Sequence, residues 1–245
     1  MRKNIFLVSA FATIFFVTSC SLKRGYVLLQ SKPNEIIVTP IIKEYLKKHP
    51  NPAIVLKVPK SEEKSTQSDQ NSNIYNAIEK ELLLSGFKVR DRGLFNEVIN
   101  KSKEVNYEDI KKLTATDLIL ELVQLSTKVE YGTNVYYKKS GAKKISKDFT
   151  IKKYGAFIEF KRILIENNQY AGSYTFNYTP CDKVDKDNCA CAVAYKTVPD
   201  KIYPFINFCS SHESSNYRAF EYVSEDVMEN FVKNGVKQML EEIRK

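Results

Sequence analysis

The sequence contains no tryptophan, two histidines and eight glycines among its 245 residues. His212 has Ser and Glu neighbours in the chain, whereas the members of a catalytic triad converge from separate segments. The glycines form neither a phosphate-binding loop nor a Gly-x-Ser-x-Gly elbow. Asp182, Asp185 and Asp187 lack the glycine and the terminal glutamate of a calcium loop. We therefore expect no enzymatic activity, no metal and no cofactor.

Long apolar runs are also missing after the amino terminus, because no later stretch reaches the roughly 20 residues of a membrane-spanning helix. The run at 5–17 follows Arg2 and Lys3, which is the order of a secretory signal peptide. It ends at Val-Thr-Ser-Cys20, which resembles the lipobox of bacterial lipoproteins. We expect residues 1–19 to be a signal peptide that is removed, and the thiol of Cys20 to carry diacylglycerol.

A lipid-anchored protein of this kind belongs to the cell envelope. Ser21, instead of an aspartate, after the lipidated cysteine favours the outer membrane, facing the periplasm. The net charge is +9, but a nucleic-acid partner does not fit this compartment. Anionic lipid, lipopolysaccharide or an acidic partner fits better. We interpret the densest basic stretch, 138–144, as a solvated turn between two strands.

Four cysteines remain after Cys20, and an even number in an oxidising compartment indicates disulfides. A bond between Cys189 and Cys191 is disfavoured because the residues are too close in the chain. Two pairings stay open: Cys181–Cys189 with Cys191–Cys209, or Cys181–Cys191 with Cys189–Cys209. A zinc site is less favoured, since Cys-x-Cys is not the usual ligand spacing.

The pattern of apolar residues predicts an α/β (α+β) fold, with a single mixed sheet, helices packed on it and a helix at the carboxyl end. We expect residues 20–51 to be a lipidated tether that contains one short strand (35–39) and one short helix (41–48). Residues 52–245 then form the domain, with insertions at 127–150 and 180–215. The other predicted elements are a buried strand at 53–58, a mobile loop at 60–73, a helix from Asn73 to Ser85, a strand at 87–90, a helix capped by Asp91, a central strand at 117–125, a hairpin of 154–165 with 170–178, and a last helix capped by Ser224.

This order of elements resembles the curli-secretion-channel (CsgG-like) superfamily, which includes flagellar accessory lipoproteins and lipoprotein activators of penicillin-binding proteins. The residues that carry the resemblance are Phe87, Val89, Asp91, Arg92, Leu94, Val98 and the stretch 115–121. The resemblance implies that Asp91 and Arg92 open the following helix. It further implies a non-enzymatic envelope assembly or accessory module that binds a protein or cell-wall partner, or itself.

An oligomeric secretion-pore subunit of the outer membrane is the alternative, because in the curli channel the two insertion positions become transmembrane hairpins. Val129, Tyr131, Thr133, Val135 and Tyr137 alternate with mostly polar residues, as a lipid-facing strand requires. The insertion at 180–215 is rich in charge ahead of its cysteines, which favours the accessory module over the pore.

The lipidation hypothesis makes a direct prediction. Cys20→Ala removes the acceptor thiol, so the protein should stay unprocessed or become soluble. Fractionation of cell envelopes and the mass of the amino-terminal peptide measure this. A Cys20→Ala protein that still fractionates as a mature lipoprotein would contradict the anchor.

Overall fold

The computed structural model describes residues 22–59, 67–101, 107–184, 191–197, 200–203 and 223–245. Within these ranges the chain forms a mixed six-stranded sheet (the main sheet), an antiparallel five-stranded sheet (the curled sheet) and five helices. The predicted fold class and the carboxyl-terminal helix are confirmed. The strands are β1 (Lys23–Tyr26), β2 (Glu35–Val38), β3 (Ala53–Lys57), β4 (Lys88–Val89), β5 (Leu118–Thr133), β6 (Val135–Lys138), β7 (Lys143–Ile145), β8 (Ile151–Leu164), β9 (Gln169–Tyr178), β10 (Ala192–Thr197) and β11 (Asp200–Tyr203). The helices are α1 (Pro40–Lys48), α2 (Gln67–Leu84), α3 (Arg92–Lys101), α4 (Tyr107–Thr114) and α5 (Glu225–Arg244).

The main sheet has the strand order β2-β9-β8-β5-β3-β4, with β3 parallel to both β4 and β5. Its central strands are apolar on both faces because helices cover both. Ile54 and Leu56 of β3 face the cluster formed with α1, α2 and α5. Val55 faces the opposite side, where Phe95 of α3 and Ile110 of α4 pack. This alternation is the one expected for a buried parallel strand.

The carboxyl-terminal helix α5 buries one apolar stripe against the main sheet. Its buried members are Met228, Val232, Val236, Met239, Leu240 and Ile243, and Phe231 is partly buried beside them. Ser224 occupies the N-cap position as predicted, but its side chain makes no capping hydrogen bond. Burial of one stripe therefore stabilises the helix more than its cap does.

The helix α2 begins at Gln67, six residues before the predicted start at Asn73. The prediction placed residues up to Asn73 in a mobile loop because the stretch is polar. Polar residues extend a helix at little cost once the apolar turns that follow are packed. Asn73 is consequently inside the helix, and its Nδ2 donates to Oε1 of Glu225 at 2.6 Å.

Residues 22–51, which the sequence assigned to the tether, are built into both sheets. β1 is the middle strand of the curled sheet, and β2 is an edge strand of the main sheet. Ile42 of α1 is fully buried in the main core. The short strand and helix predicted here exist, but their partners lie far along the chain, for example Ile37 opposite Ser173.

The two predicted insertions supply most of the curled sheet, whose order is β11-β10-β1-β6-β7. β5 runs on to Thr133, and β6 and β7 take up the rest of the first insertion. The alternation predicted over 129–137 holds only as far as Thr133. After Asn134 the phase changes, so that Tyr136 is buried with Val27 and Val193 in the core of the curled sheet.

Aromatic residues recur at alternate positions of β9, as Tyr170, Tyr174, Phe176 and Tyr178, but they do not all share one face. Tyr174 and Phe176 are fully buried, but Tyr170 is 65% exposed. The register between β8 and β9 shifts after Arg162, so that Arg162 lies opposite Gly172 and Ile163 lies opposite Tyr170. A bulge of one residue turns the preceding side chain to the other face.

One charged side chain, Arg162, is fully buried in the main core. Its guanidinium lies 5.4 Å from the centre of the Tyr174 ring, and its Nη2 lies 3.6 Å from Sδ of Met239. Nε and Nη1 have no hydrogen-bond partner within the described ranges. Gly172 leaves the space that this packing uses, because a Cβ there would lie 2.3 Å from the Tyr174 hydroxyl. Burial lowers the pKa of Arg162, so the cation destabilises the core that holds it.

Replacement of this cation by an apolar side chain of similar length should therefore stabilise the fold. We expect Arg162→Met to raise the free energy of unfolding by about 1–4 kcal/mol. Urea denaturation measures the change. Lys161→Met, on the neighbouring residue of β8, is the control and should stay within about 0.5 kcal/mol. A loss of stability in Arg162→Met would instead show that the guanidinium is a net stabilising group.

Candidate functional site

The two edge strands of the curled sheet approach each other. β7 and β11 stand at opposite ends of the strand order, yet Nζ of Lys144 on β7 lies 3.5 Å from Oδ2 of Asp200 on β11. Such an approach requires the sheet to curl almost into a closed ring. The seam where the ring stays open forms a cleft of about 660 Å³.

Apolar and charged side chains line this seam cleft together. Ile145 is 64% exposed and Phe149 is 36% exposed, which is unusual for large apolar residues that are neighbours in one cleft. The backbone N–H of Phe149 donates to Oγ of Ser146 at 3.2 Å, which fixes the loop after β7. The other lining residues include Tyr136, Lys147, Asp148, Lys201, Ile202 and Tyr203.

A tyrosine–carboxylate pair anchors the floor of the cleft. The hydroxyl of Tyr136 donates to Oδ1 of Asp200 at 2.7 Å. This hydrogen bond, together with the charges of Lys144 and Lys138, lowers the pKa of Asp200. Burial, and then the same hydrogen bond, raise the pKa of Tyr136. At neutral pH the pair is thus a neutral phenol and a carboxylate.

This electrostatic arrangement suits binding better than acid–base chemistry. A general acid or base works best with a pKa near the working pH, and the pKa values of both Tyr136 and Asp200 move away from neutrality. Burial does lower the pKa of Lys153 to about 8, but Lys153 lies opposite Tyr131 in the pairing of β5 with β8 and does not line the cleft. Among the described residues no three His, Cys, Asp or Glu side chains converge as metal ligands.

The two described cysteines, Cys181 and Cys191, lie next to the segment that follows β1. Cys181 and Cys191 form a disulfide with Cα atoms 5.5 Å apart, which selects this bond of the two pairings that the sequence left open. Their carbonyl oxygens accept hydrogen bonds from the N–H groups of Leu29 and Val27, at 3.0 and 2.9 Å respectively. Cys20, Cys189, Cys209 and His212 lie outside the described residues.

The motif at 87–92 lies on β4, which is an edge strand of the main sheet, and at the start of α3. Phe87 is buried in the main core, and Val89 pairs with Ile54. Oδ1 of Asp91 accepts a hydrogen bond from the N–H of Leu94 at 2.6 Å, so this carboxylate caps α3. Nη1 of Arg92 lies 3.5 Å from Oε1 of Glu79.

Neither the motif nor the disulfide lines the seam cleft, although Cys181 packs against the core of the curled sheet, which contains Tyr136 and Ile202. No sequence pattern singled out Tyr136 or Asp200, which are 64 residues apart. They meet because the sheet curls, although β10 and β1 lie between their strands β11 and β6 in the strand order. No described helix combines the length and the apolar character needed to cross a membrane.

No known protein family matches the sequence, and no curated protein does. Among solved structures, the chain is similar to one chain of a PelC dodecamer from Paraburkholderia phytofirmans. The TM-score is 0.34 and the sequence identity is 8%, over 80% of this chain and 90% of that chain. A similarity of this size does not establish a shared fold.

The hydrogen bond between Tyr136 and Asp200 should appear in the pH dependence of stability. Because the pKa of Asp200 is lowered in the folded state, the bond stabilises the fold above the unfolded pKa and is lost as pH falls through the folded value. We expect Tyr136→Phe to cost about 1 kcal/mol at pH 7, and the difference from the parent to shrink between about pH 5 and pH 2. Denaturant titrations at several pH values measure this.

Tyr137→Phe, which retains the ring stacked on Tyr26, should show no such pH dependence. A constant difference at all pH values would contradict the assignment.

Proposed function

We propose that this chain is a lipid-anchored, non-enzymatic protein of the bacterial envelope, similar to CsgG-like accessory lipoproteins, that binds a protein partner through the seam cleft. The observation that carries the proposal is the pair of open strand edges that bound an apolar cleft. In the described part of the chain, β7 pairs only with β6 and β11 pairs only with β10. Open edges beside apolar side chains favour an added extended segment.

The chemistry of the cleft supports binding over catalysis. The carboxylate of Asp200 is held by Tyr136 and Lys144. The exposed apolar side chains of the cleft offer a contact surface for a partner. Interfaces of this kind combine an apolar centre with a charged rim. Lys147 and Lys201 supply that rim, with Asp148 beside them.

Placement in the envelope is supported by two independent features. The amino-terminal sequence has the order of charges, apolar residues and small residues before Cys20 that lipoproteins share. The Cys181–Cys191 disulfide fits an oxidising compartment such as the periplasm. The outer membrane remains the expected location.

The secretion-pore alternative receives less support from the folded chain. It needs the apolar side chains of the first insertion to face lipid. Tyr131, which that alternative places towards lipid, is instead buried, at 7% exposure, within the protein itself.

Native mass spectrometry of the detergent-extracted mature protein, under non-reducing conditions, tests the proposal. We expect a complex of one or a few copies with a second protein, and loss of that protein in Ile145→Glu. Leu113→Glu is the matched control, since Leu113 on α4 is 67% exposed and Ile145 is 64% exposed. Chemical cross-linking in cells before extraction preserves a partner that detergent would remove.

Three other outcomes would change the proposal. A large homo-oligomer of single stoichiometry that contains no second protein would favour the pore alternative. Retention of the partner in Ile145→Glu, with loss in Leu113→Glu, would move the binding surface to α4. An uncomplexed protein in cross-linked cells would overturn the binding module.

A further inference from the structure

The strand that follows the predicted anchor fixes the orientation of the curled sheet. β1 begins at Lys23, which lies opposite Tyr195 of β10. β10 continues to Thr197, and Thr197 pairs with Asp200 at the start of β11. The end of the β10–β11 hairpin therefore extends past the first residue of β1, in the direction of Cys20.

The turn between β6 and β7 points the same way. β6 is antiparallel to β1, with Tyr137 opposite Tyr26 and Lys138 opposite Gly25, so residues 139–142 lie beside the start of β1. The turn is closed by the N–H of Gly141, which donates to the carbonyl of Lys138 at 2.8 Å. The stretch 138–144 thus contains a turn between two strands, as the sequence predicted, but the turn itself is 139–142 and the ends of the stretch belong to β6 and β7.

These hairpin ends gather positive charge on one rim of the curled sheet. We name it the basic rim, and its members are Lys23, Arg24, Lys139, Lys143, Lys196 and Lys201. Two described carboxylates lie near it in the seam cleft: Asp200, which is held by Tyr136 and Lys144, and Asp148. Within the described ranges, none of the five rim lysines forms an ion pair with a carboxylate.

Two lysines of the basic rim repel each other. Lys196 and Lys201 lie directly opposite each other on paired strands, and like charges in that position are destabilising. Both ammonium groups lie over the ring of Tyr203, at 5.5 and 5.9 Å from its centre. A flat anionic surface outside the protein would relieve this repulsion, and a tyrosine between lysines suits a membrane interface.

The distance to the lipid makes such a surface available. Three residues separate Lys23 from Cys20 (23 − 20 = 3), and a fully extended chain spans at most about 3.6 Å per residue. Lys23, the first member of the basic rim, is thus within about 11 Å of Cys20, which is close to the screening length of about 8–10 Å in physiological salt.

We propose that the basic rim docks on the headgroups of anionic phospholipids, as a second attachment beside the lipid anchor. This inference rests on the lipidation in the proposed function. A basic patch adds electrostatic attraction for anionic lipid to the attachment that buried acyl chains provide. Docking through the rim also fixes the orientation of the seam cleft relative to the membrane.

Lysine acetylation of the full lipidated protein in vesicles tests the docking. The protein is reconstituted in phosphatidylcholine alone and in phosphatidylcholine with one quarter phosphatidylglycerol. We expect the acetylation of Lys139, Lys143, Lys196 and Lys201 to slow by about threefold or more with phosphatidylglycerol, and the effect to disappear at about 0.5 M salt. Lys112 of α4, as an internal reference, should react equally in both.

A charge-reversal pair completes the test. The variant with Lys→Glu at positions 139, 143, 196 and 201 should lose the effect of phosphatidylglycerol on acetylation of Lys23. A control with the same charge change at four exposed helical lysines, 47, 48, 80 and 237, should retain it. Equal thermal unfolding of the two variants checks that both are folded.

The failures of the two proposals are distinguishable. A protein that does not stay with either vesicle at high salt lacks the anchor, which overturns the lipidation. A protein that stays anchored but has the same acetylation in both vesicles overturns the docking alone. Slowed acetylation that is equal at the rim and at Lys112 would also overturn it, because general adsorption would then explain the protection.

Discussion

The antiparallel pairing of β5 with β8 is the contact on which both sheets depend. These are the longest strands, with 16 and 14 residues, and they pair from Leu118 opposite Leu164 to Thr133 opposite Ile151. One end carries the core of the main sheet, and Ile151 at the other end belongs to the core of the curled sheet. Gly155 permits this continuity, since a Cβ there would lie 2.2 Å from the carbonyl oxygen of Tyr178. A larger residue would force the strands apart where the two sheets join.

The sequence alone is sufficient to predict those elements that depend on local periodicity. The buried strand β3, the apolar stripe of α5 and the capping carboxylate of Asp91 all follow from residues close together in the chain. β1 could not be recognised in this way, because Lys-Arg-Gly-Tyr has no strand pattern and its partner strand β10 lies almost 170 residues later. The bulge beside Arg162 was equally hidden, since a bulge is a property of two strands and not of one.

The candidate site is almost entirely a product of long-range pairing. Tyr136 was read as a polar-face residue of an alternating strand, but a change of phase at Asn134 turns its ring inward. Asp200 is an ordinary aspartate in the sequence, and only the curl of the sheet brings it to that ring. The cysteine spacing allowed two pairings, and the carbonyl contacts with Val27 and Leu29 show what the selected bond accomplishes. It secures the segment that follows β1.

That clamp on β1 has a mechanical consequence. Hydrogen bonds in an antiparallel pair run across the strands, and β1 is bonded to β10 on one side and to β6 on the other. A force that pulls on the chain at residue 22, along the strand, therefore loads these bonds in shear and all at once. Val27 and Leu29 add two further bonds to the disulfide-linked carbonyls. A force on this end of the molecule is consequently distributed over the hydrogen bonds of the whole curled sheet. The edge strand β2 could instead be separated from its partner one hydrogen bond at a time.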